Sequence, residues 1–299
     1  MMLAGMEELN VEEFSCDDSS KLLLIAEGFE PRSLTFANLC KDNEVVFDKT
    51  IVFDNRPVRK SRKEELIELL NRISLSMDEF EFHRFLPASH ENELFEILQS
   101  SLDGIDEVVI DVSVMSKILI ISLIYILKEY DGNVTIIYTE PKDYAPSEEE
   151  FAKIEKIGSS LGSLPSVGVY DVVRTPMLTS SVMQDKPSVV VCFTSFNERL
   201  VRSLLAALSP GRLLLIASVP PRLAWHTEAT MKLHGEIIEE YSRDNKLSET
   251  NNFLNRRAST LDYRETFDIL KNIYREYCYT NRIVIAPTGS KMQAVASGL

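Results

Sequence analysis

Short apolar runs recur along the chain, separated by longer stretches in which apolar residues return every three or four positions. Runs such as Leu22-Leu23-Leu24-Ile25-Ala26 and Val189-Val190-Val191-Cys192-Phe193 show no alternation with polar residues. Continuous apolarity of this kind belongs to parallel strands buried on both faces by helices. Strands are predicted near 22–26, 51–53, 79–84, 107–111 and 134–138, then near 189–193, 213–217 and 282–286. The helical period predicts helices over 32–39, 62–74, 91–102 and 116–130 in the first half, and 198–208, 225–244 and 263–277 in the second. A further helix over 148–157, with glutamates in its first turn, follows the Pro-containing turn at 140–147. The alternation of strand and helix predicts an α/β fold.

The two halves repeat one another. Phe29 and Arg32, after the first strand, fall on Phe196 and Arg199 at a spacing of about 167 residues, and Phe95-Glu96-Ile97-Leu98 falls on Phe267-Asp268-Ile269-Leu270 at about 172. Asp111-Val112-Ser113-Val114-Met115-Ser116-Lys117 then corresponds to Ala286-Pro287-Thr288-Gly289-Ser290-Lys291, one residue shorter. Similarity at this spacing means two duplicated domains rather than a solenoid. Two tandem Rossmann-like units with mainly parallel sheets are expected, over 1–165 and 166–299, joined through a Ser- and Gly-rich stretch at 158–168. An extra strand at 167–173 would join the sheets, and 246–259 reads as a mobile polar loop. The second copy has no counterpart of the helix end and strand that follow Lys117, so either the sequence is truncated there or the second unit is incomplete at its C-terminal side.

Composition narrows the function. A chain of 299 residues with 44% hydrophobic and 26% charged residues matches two soluble domains, each able to bury a core. The apolar stretch 118–127 is too short to span a membrane, and the glutamate-bearing N-terminus lacks the pattern of a secretory signal, so a cytoplasmic location and no membrane partner are expected. A net charge of −14 argues against duplex nucleic acid as a partner, though a local pocket can still attract a small anion. Cys16, Cys40, Cys192 and Cys278 are scattered without metal-ligand spacing and read as free thiols, with no metal and no cofactor expected.

The repeated polar residues lie where such sheets bind ligands, beyond the carboxyl ends of the strands. Gly28, Glu30 and Arg32 match Asn197 and Arg199 after the first strand of each copy; Ser113, Ser116 and Lys117 match Thr288, Gly289, Ser290 and Lys291 after a later one. Two readings stand side by side. The hydroxyls are ordinary helix caps, with Arg32 and Arg199 pairing to Glu30 and Glu198; or backbone N–H groups, hydroxyls and cations together hold an anion. The repeated lysine favours the second, because a cation in the first turn opposes the helix dipole unless an anion is present. Tyr138 or Tyr144, and more weakly Trp225 and His226, are candidates to stack on a ring.

Established catalytic motifs are missing. Thr288-Gly289-Ser290-Lys291 is not a P-loop, since Ile285 and Ser290 stand where its glycines are needed and Met292 follows the lysine. There is no GxGxxG after a strand, no GxSxG and no HExxH; His83, His90, His226 and His234 are dispersed, and no carboxylate pair or other catalytic residue stands out.

The Thr-Gly-Ser-Lys turn after a strand, its counterpart at 111–117 and the two-copy layout resemble the CRISPR-associated Rossmann fold (CARF) domains and the related fused SAVED sensors. The resemblance implies a cyclic or linear oligonucleotide held between two units by loops at the strand ends, in antiviral defence. The chain departs from that pattern in having no glycine in the first copy's turn and no nuclease or protease signature. A noncatalytic sensor of an anionic small molecule, nucleotide above all, is therefore expected, with Lys117 and Lys291 contacting the anion. Two other classes remain: an enzyme acting on a nucleotide or sugar-phosphate with one active copy, and a scaffold subunit or homo-oligomer whose unfinished second sheet is completed by another chain.

Overall fold

The computed structural model describes residues 19–56, 61–83, 87–157, 172–180, 182–243 and 256–299. The N-terminal stretch with Cys16, the Ser/Gly-rich join and all but two residues of the 167–173 segment lie outside the described residues, as does 246–255 of the polar loop. The chain forms two compact units, one running to Lys142 with Thr175–Leu178, the other comprising Asp143–Arg174 and Thr179–Leu299.

In the first unit, β1 (Lys21–Ala26), β2 (Phe47–Arg56), β3 (Ser74–His83), β4 (Glu107–Asp111) and β5 (Asn133–Ile137) form a wholly parallel sheet in the order β3-β2-β1-β4-β5. Parallel neighbours need crossover connections, supplied by α1 (Thr35–Asp42), α2 (Lys63–Ile73), α3 (Pro87–Ser101) and α4 (Lys117–Leu127). Leu22 to Ala26 are all fully buried, the reason β1 shows no polar alternation. Leu23 and Ile25 pack with Phe36, Ala37 and Cys40 of α1 and with Leu66, Leu70 and Ile73 of α2. α4 is apolar nearly all round because eight of its side chains are buried.

The second unit repeats the arrangement. β6 (Ser188–Phe193), β7 (Arg212–Val219), β8 (Arg257–Ser259) and β9 (Arg282–Ala286) run parallel in the order β8-β7-β6-β9. Among the described residues this is the first sheet's order without its fifth strand. α5 (Glu148–Ile157) precedes it, and α6 (Glu198–Leu208), α7 (Ala224–Leu233), α8 (Gly235–Arg243), α9 (Tyr263–Tyr277) and α10 (Lys291–Gly298) follow in turn. β6 feeds both faces: Val189, Val191 and Phe193 pack on Leu270, Ile273 and Tyr277 of α9, while Val190 and Cys192 pack on Val201 and Leu205 of α6 and Ile237 of α8. The repeat continues into burial, since Leu94 and Leu98 of α3 are buried, as are Thr266 and Leu270 of α9 at the same register.

Two sequence expectations are corrected here. The expected single helix over 225–244 is two, broken where His234 caps α7 and Gly235 opens α8; His234 Nδ1 donates to the Thr230 carbonyl at 2.8 Å. The end of the expected loop is β8, whose Ala258 is fully buried and pairs with Ser218. Three residues are too few to show a strand period, so only pairing with β7 reveals it.

Candidate functional site

In each sheet the chain reverses its winding between the first strand and its later neighbour, β1 and β4 or β6 and β9, and the loops after those strands flank the switch point. The polar sequence candidates all fall on these four loops or in the first turns of the helices that follow them.

In the first unit they form a polar clamp. The Arg32 guanidinium makes two hydrogen bonds to the Glu30 carboxylate, at 2.8 and 3.2 Å, and a third to the carbonyl of Thr139 at 3.1 Å. Burial opposes the charge on Arg32, yet the Glu30 hydrogen bonds and charge outweigh it and raise its pKa. Ser113 Oγ accepts the Thr139 amide at 2.7 Å, and the Ser113 amide donates to Asp111 Oδ1 at 3.0 Å. Thr139, just beyond β5, is thus gripped on both sides by the loops after β1 and β4. Gly28 lets those two loops meet: a Cβ there would lie 2.9 Å from Val114 Cβ, a distance real side chains do not adopt. Ser116 caps α4, its Oγ accepting the Leu119 amide at 3.3 Å, and Lys117, partly exposed, is the first helical residue.

In the second unit the corresponding residues are arranged differently. Asn197 Oδ1 caps α6 by accepting the Leu200 amide at 3.2 Å. Arg199 is exposed, and the ion-pair partner of Glu198 is Arg202, which also reaches Glu236 at 2.7 Å. Thr288 is buried against the end of β6, and Ser290 forms a capping box with Gln293, each side chain accepting the other residue's amide at 3.1 and 2.8 Å. Gly289 is obligatory beside that box, since a Cβ would fall 2.8 Å from Phe193 Cβ and on Gln293 Oε1. Lys291 opens α10. The structure therefore sets the candidates of each unit after neighbouring strands of one sheet, and gives Ser116, Asn197 and Ser290 the capping role.

The repeated phenylalanines part company. Phe29 is 69% exposed beside the first switch point. Phe196 instead packs in a cluster with Phe151 of α5, Trp225 and His226, with ring centroids 5.7, 5.8 and 4.9 Å away. Tyr144 reaches the same histidine at 5.9 Å, so three of the four aromatic stacking candidates pack on one another, while Tyr138 stands in the first unit, its ring 5.9 Å from Arg32. His226 is buried, its Nε2 has no hydrogen-bond partner among the described residues, and burial lowers its pKa.

A carboxyl pair escaped the sequence reading. Glu27, the residue after β1, is hydrogen-bonded to Asp54 of β2; they are 4% and 5% exposed. Ser61 donates to Glu27, while Lys63 of α2 lies 3.2 Å from Asp54 and 2.7 Å from Glu79. Burial, then the Asp54 hydrogen bond, raises the Glu27 pKa, so the pair is placed to share a proton. The two carboxylates are 27 positions apart, and only the parallel register, Ala26 against Phe53, sets them side by side. The equivalent positions in the second unit hold Thr194 and Ala217, where Thr194 Oγ1 accepts the Ser218 amide at 2.9 Å.

Among the described residues no helix is long and apolar enough to cross a membrane, and Cys40, Cys192 and Cys278 are free thiols. Burial pushes the Cys40 and Cys192 thiols up to about 12, which keeps them protonated and unreactive at neutral pH. Compared with protein-family models, curated proteins and solved structures, the chain matches none.

Proposed function

We propose that this is a noncatalytic cytoplasmic sensor that recognises an anionic small molecule, a nucleotide or cyclic oligonucleotide, with the loops at the carboxyl ends of its duplicated sheets. One observation carries the reading: the dipeptide Ser-Lys occupies the same topological place in both units, Ser116-Lys117 after β4 and Ser290-Lys291 after β9. Capping accounts for the serines. It does not account for a lysine at the first helical position, which costs a few tenths of a kcal/mol against the dipole and becomes favourable beside an anion. Phe29, exposed at the first switch point, supports the reading by offering a ring on which a base can stack. Titration calorimetry with mononucleotides and cyclic oligonucleotides tests it. Lys117→Ala and Lys291→Ala are each expected to weaken binding about tenfold, and unchanged affinity in both variants overturns the site. The resemblance to CARF and SAVED sensors supports a role in antiviral defence.

The buried Glu27–Asp54 pair supports a second reading, an enzyme acting on a nucleotide or sugar-phosphate with the first unit active and the second degenerate. Paired carboxyls sharing a proton can supply an acid and a base from one site. Turnover of a nucleotide panel that is lost in Glu27→Gln favours this reading; no turnover across the panel rejects it.

A further inference from the structure

One aromatic position of the repeat is found in two states. Phe29 follows β1 and is 69% exposed, whereas its counterpart Phe196, after β6, lies against Phe151 of α5 with ring centroids 5.7 Å apart. Phe151 also meets Trp225 at 5.9 Å, and Trp225 meets Phe196 at 5.8 Å, so the three rings close on one another. Phe196 comes from the loop after β6 and Trp225 from the first turn of the helix after β7, its paired neighbour. That is the end of the sheet where ligands bind. α5 is held there lightly. Of its described side chains, those of residues 148–153, Phe151 alone is not exposed. Its first turn is fastened by its own capping box, in which Glu150 accepts the Ser147 amide at 2.9 Å and Ser147 accepts the Glu150 amide at 3.3 Å. The cluster also holds a polar atom that hydrocarbon rings cannot serve. His226, 8% exposed, is 4.9 Å from Phe196 and 4.3 Å from Trp225, and its Nε2 has no hydrogen-bond partner among the described residues.

We propose that Phe151 is a displaceable plug in a nucleobase site formed by Phe196, Trp225 and His226, and that α5 leaves this site when a nucleotide enters the second unit. The Phe151 ring takes the stacking place of a base. A base brings in addition N–H and C=O groups able to give His226 Nε2 the partner it lacks, whereas a benzene ring leaves that buried nitrogen unsatisfied. The sequence Glu148-Glu149-Glu150-Phe151 joins carboxylates to an aromatic ring, the two chemistries that a nucleotide presents together. A plug lowers the apparent affinity of its site by the fraction of molecules in which it stands open, so the second unit responds at a higher ligand concentration than an unplugged one. The choice of a nucleotide rests on the ligand reading above; the plug itself rests on the cluster.

Emission of Trp225, the only tryptophan in the chain, tests the proposal on the full chain with adenosine, AMP and ribose 5-phosphate as probes. Phe151→Ala is expected to bind adenosine and AMP about tenfold more tightly than the parent, with quenching of Trp225, and ribose 5-phosphate no more tightly. Phe151→Leu keeps an apolar side chain in the cluster and should fall between the two, which gives the same test in a variant that retains the packing. In the parent, saturating AMP should speed hydrogen exchange at the amides of Glu148–Ile157 and leave those of β6 unchanged. Adenosine affinity that neither Phe151 variant raises overturns the plug, as does slower exchange in α5 when AMP is bound. AMP binding that is lost in Lys291→Ala but indifferent to Phe151→Ala overturns the plug and leaves the anion reading standing. Adenosine that quenches Trp225 in Phe151→Ala, with AMP binding no tighter than adenosine and unaltered by Lys291→Ala, sustains the plug and removes the anion reading from this unit.

Discussion

Thr288 Oγ1 accepts the amide hydrogen of Phe193 at 2.8 Å and donates to the carbonyl of the same residue at 2.6 Å. A side chain thereby extends the pairing of β6 and β9 past the last backbone partners, Cys192 and Ala286. One hydroxyl thus holds both backbone groups of Phe193, and Thr288 fastens the switch-point loop to the end of β6. Thr288→Val keeps the shape and leaves both buried backbone groups of Phe193 unsatisfied; a loss of about 2–3 kcal/mol is expected in denaturant unfolding. Thr288→Ser retains the latch and should lose less than about 1 kcal/mol.

Gly289→Ala should also destabilise the second unit, by about 1–3 kcal/mol, because the added methyl meets Phe193 Cβ at 2.8 Å and displaces the Gln293 amide from its capping box. Combined with Gln293→Ala the cost should be less than additive, since part of it comes from the box that Gln293→Ala already removes; a double-mutant cycle measures this.

Glu27 gives the first unit a pH dependence of known sign. Its folded pKa is raised, mainly by burial and then by Asp54, so the native state holds a proton that the unfolded chain has lost. The stabilisation is complete below the ordinary glutamate value and falls away as pH rises through the raised one. Glu27→Gln keeps a donor toward Asp54 without the charge. We expect it to be more stable than the parent at pH 7, on the order of 1 kcal/mol, and to lose the advantage near pH 4. A variant less stable than the parent at both pH values would contradict proton sharing.

The second unit responds in the opposite sense. Burial lowers the pKa of His226 and of fully buried His234, so the fold holds both neutral while the unfolded chain takes up protons below its ordinary histidine value of about 6.5. Stability is complete above that value and is lost as pH falls toward the lowered ones. Trp225 reports it directly. It is the only tryptophan in the chain, and its ring lies 4.3 Å from His226 at 90°. Its emission should shift on acidification below about pH 6.5, and His226→Phe should move that shift to lower pH.

Much of the fold was legible in the sequence. β4 and β9 and the helices α6 and α9 fall where periodicity places them, because each is continuously apolar or carries a clean helical stripe against one sheet face. Strand order is harder to see, yet the duplication carried it: once the first sheet is ordered, the four described strands of the second follow. The site was less legible. The repeated arginines read as equivalents, but Arg32 is committed to Glu30 and Thr139 while Arg199 is exposed. Arg32 grips a peptide just beyond β5, and the second sheet has no such strand among the described residues.

Sequence alone determined an α/β chain of two related units and located four loops whose polar residues recur. Those follow from local period and internal comparison, which need no knowledge of contacts. Tertiary structure decided which polar groups the protein keeps for itself. It set the Glu27 and Asp54 carboxyls together and spent the hydroxyls of Thr288 and Ser290 on backbone groups. The reason is physical: hydrogen bonds and pKa shifts depend on distance and burial in three dimensions, and parallel pairing joins residues far apart in the chain.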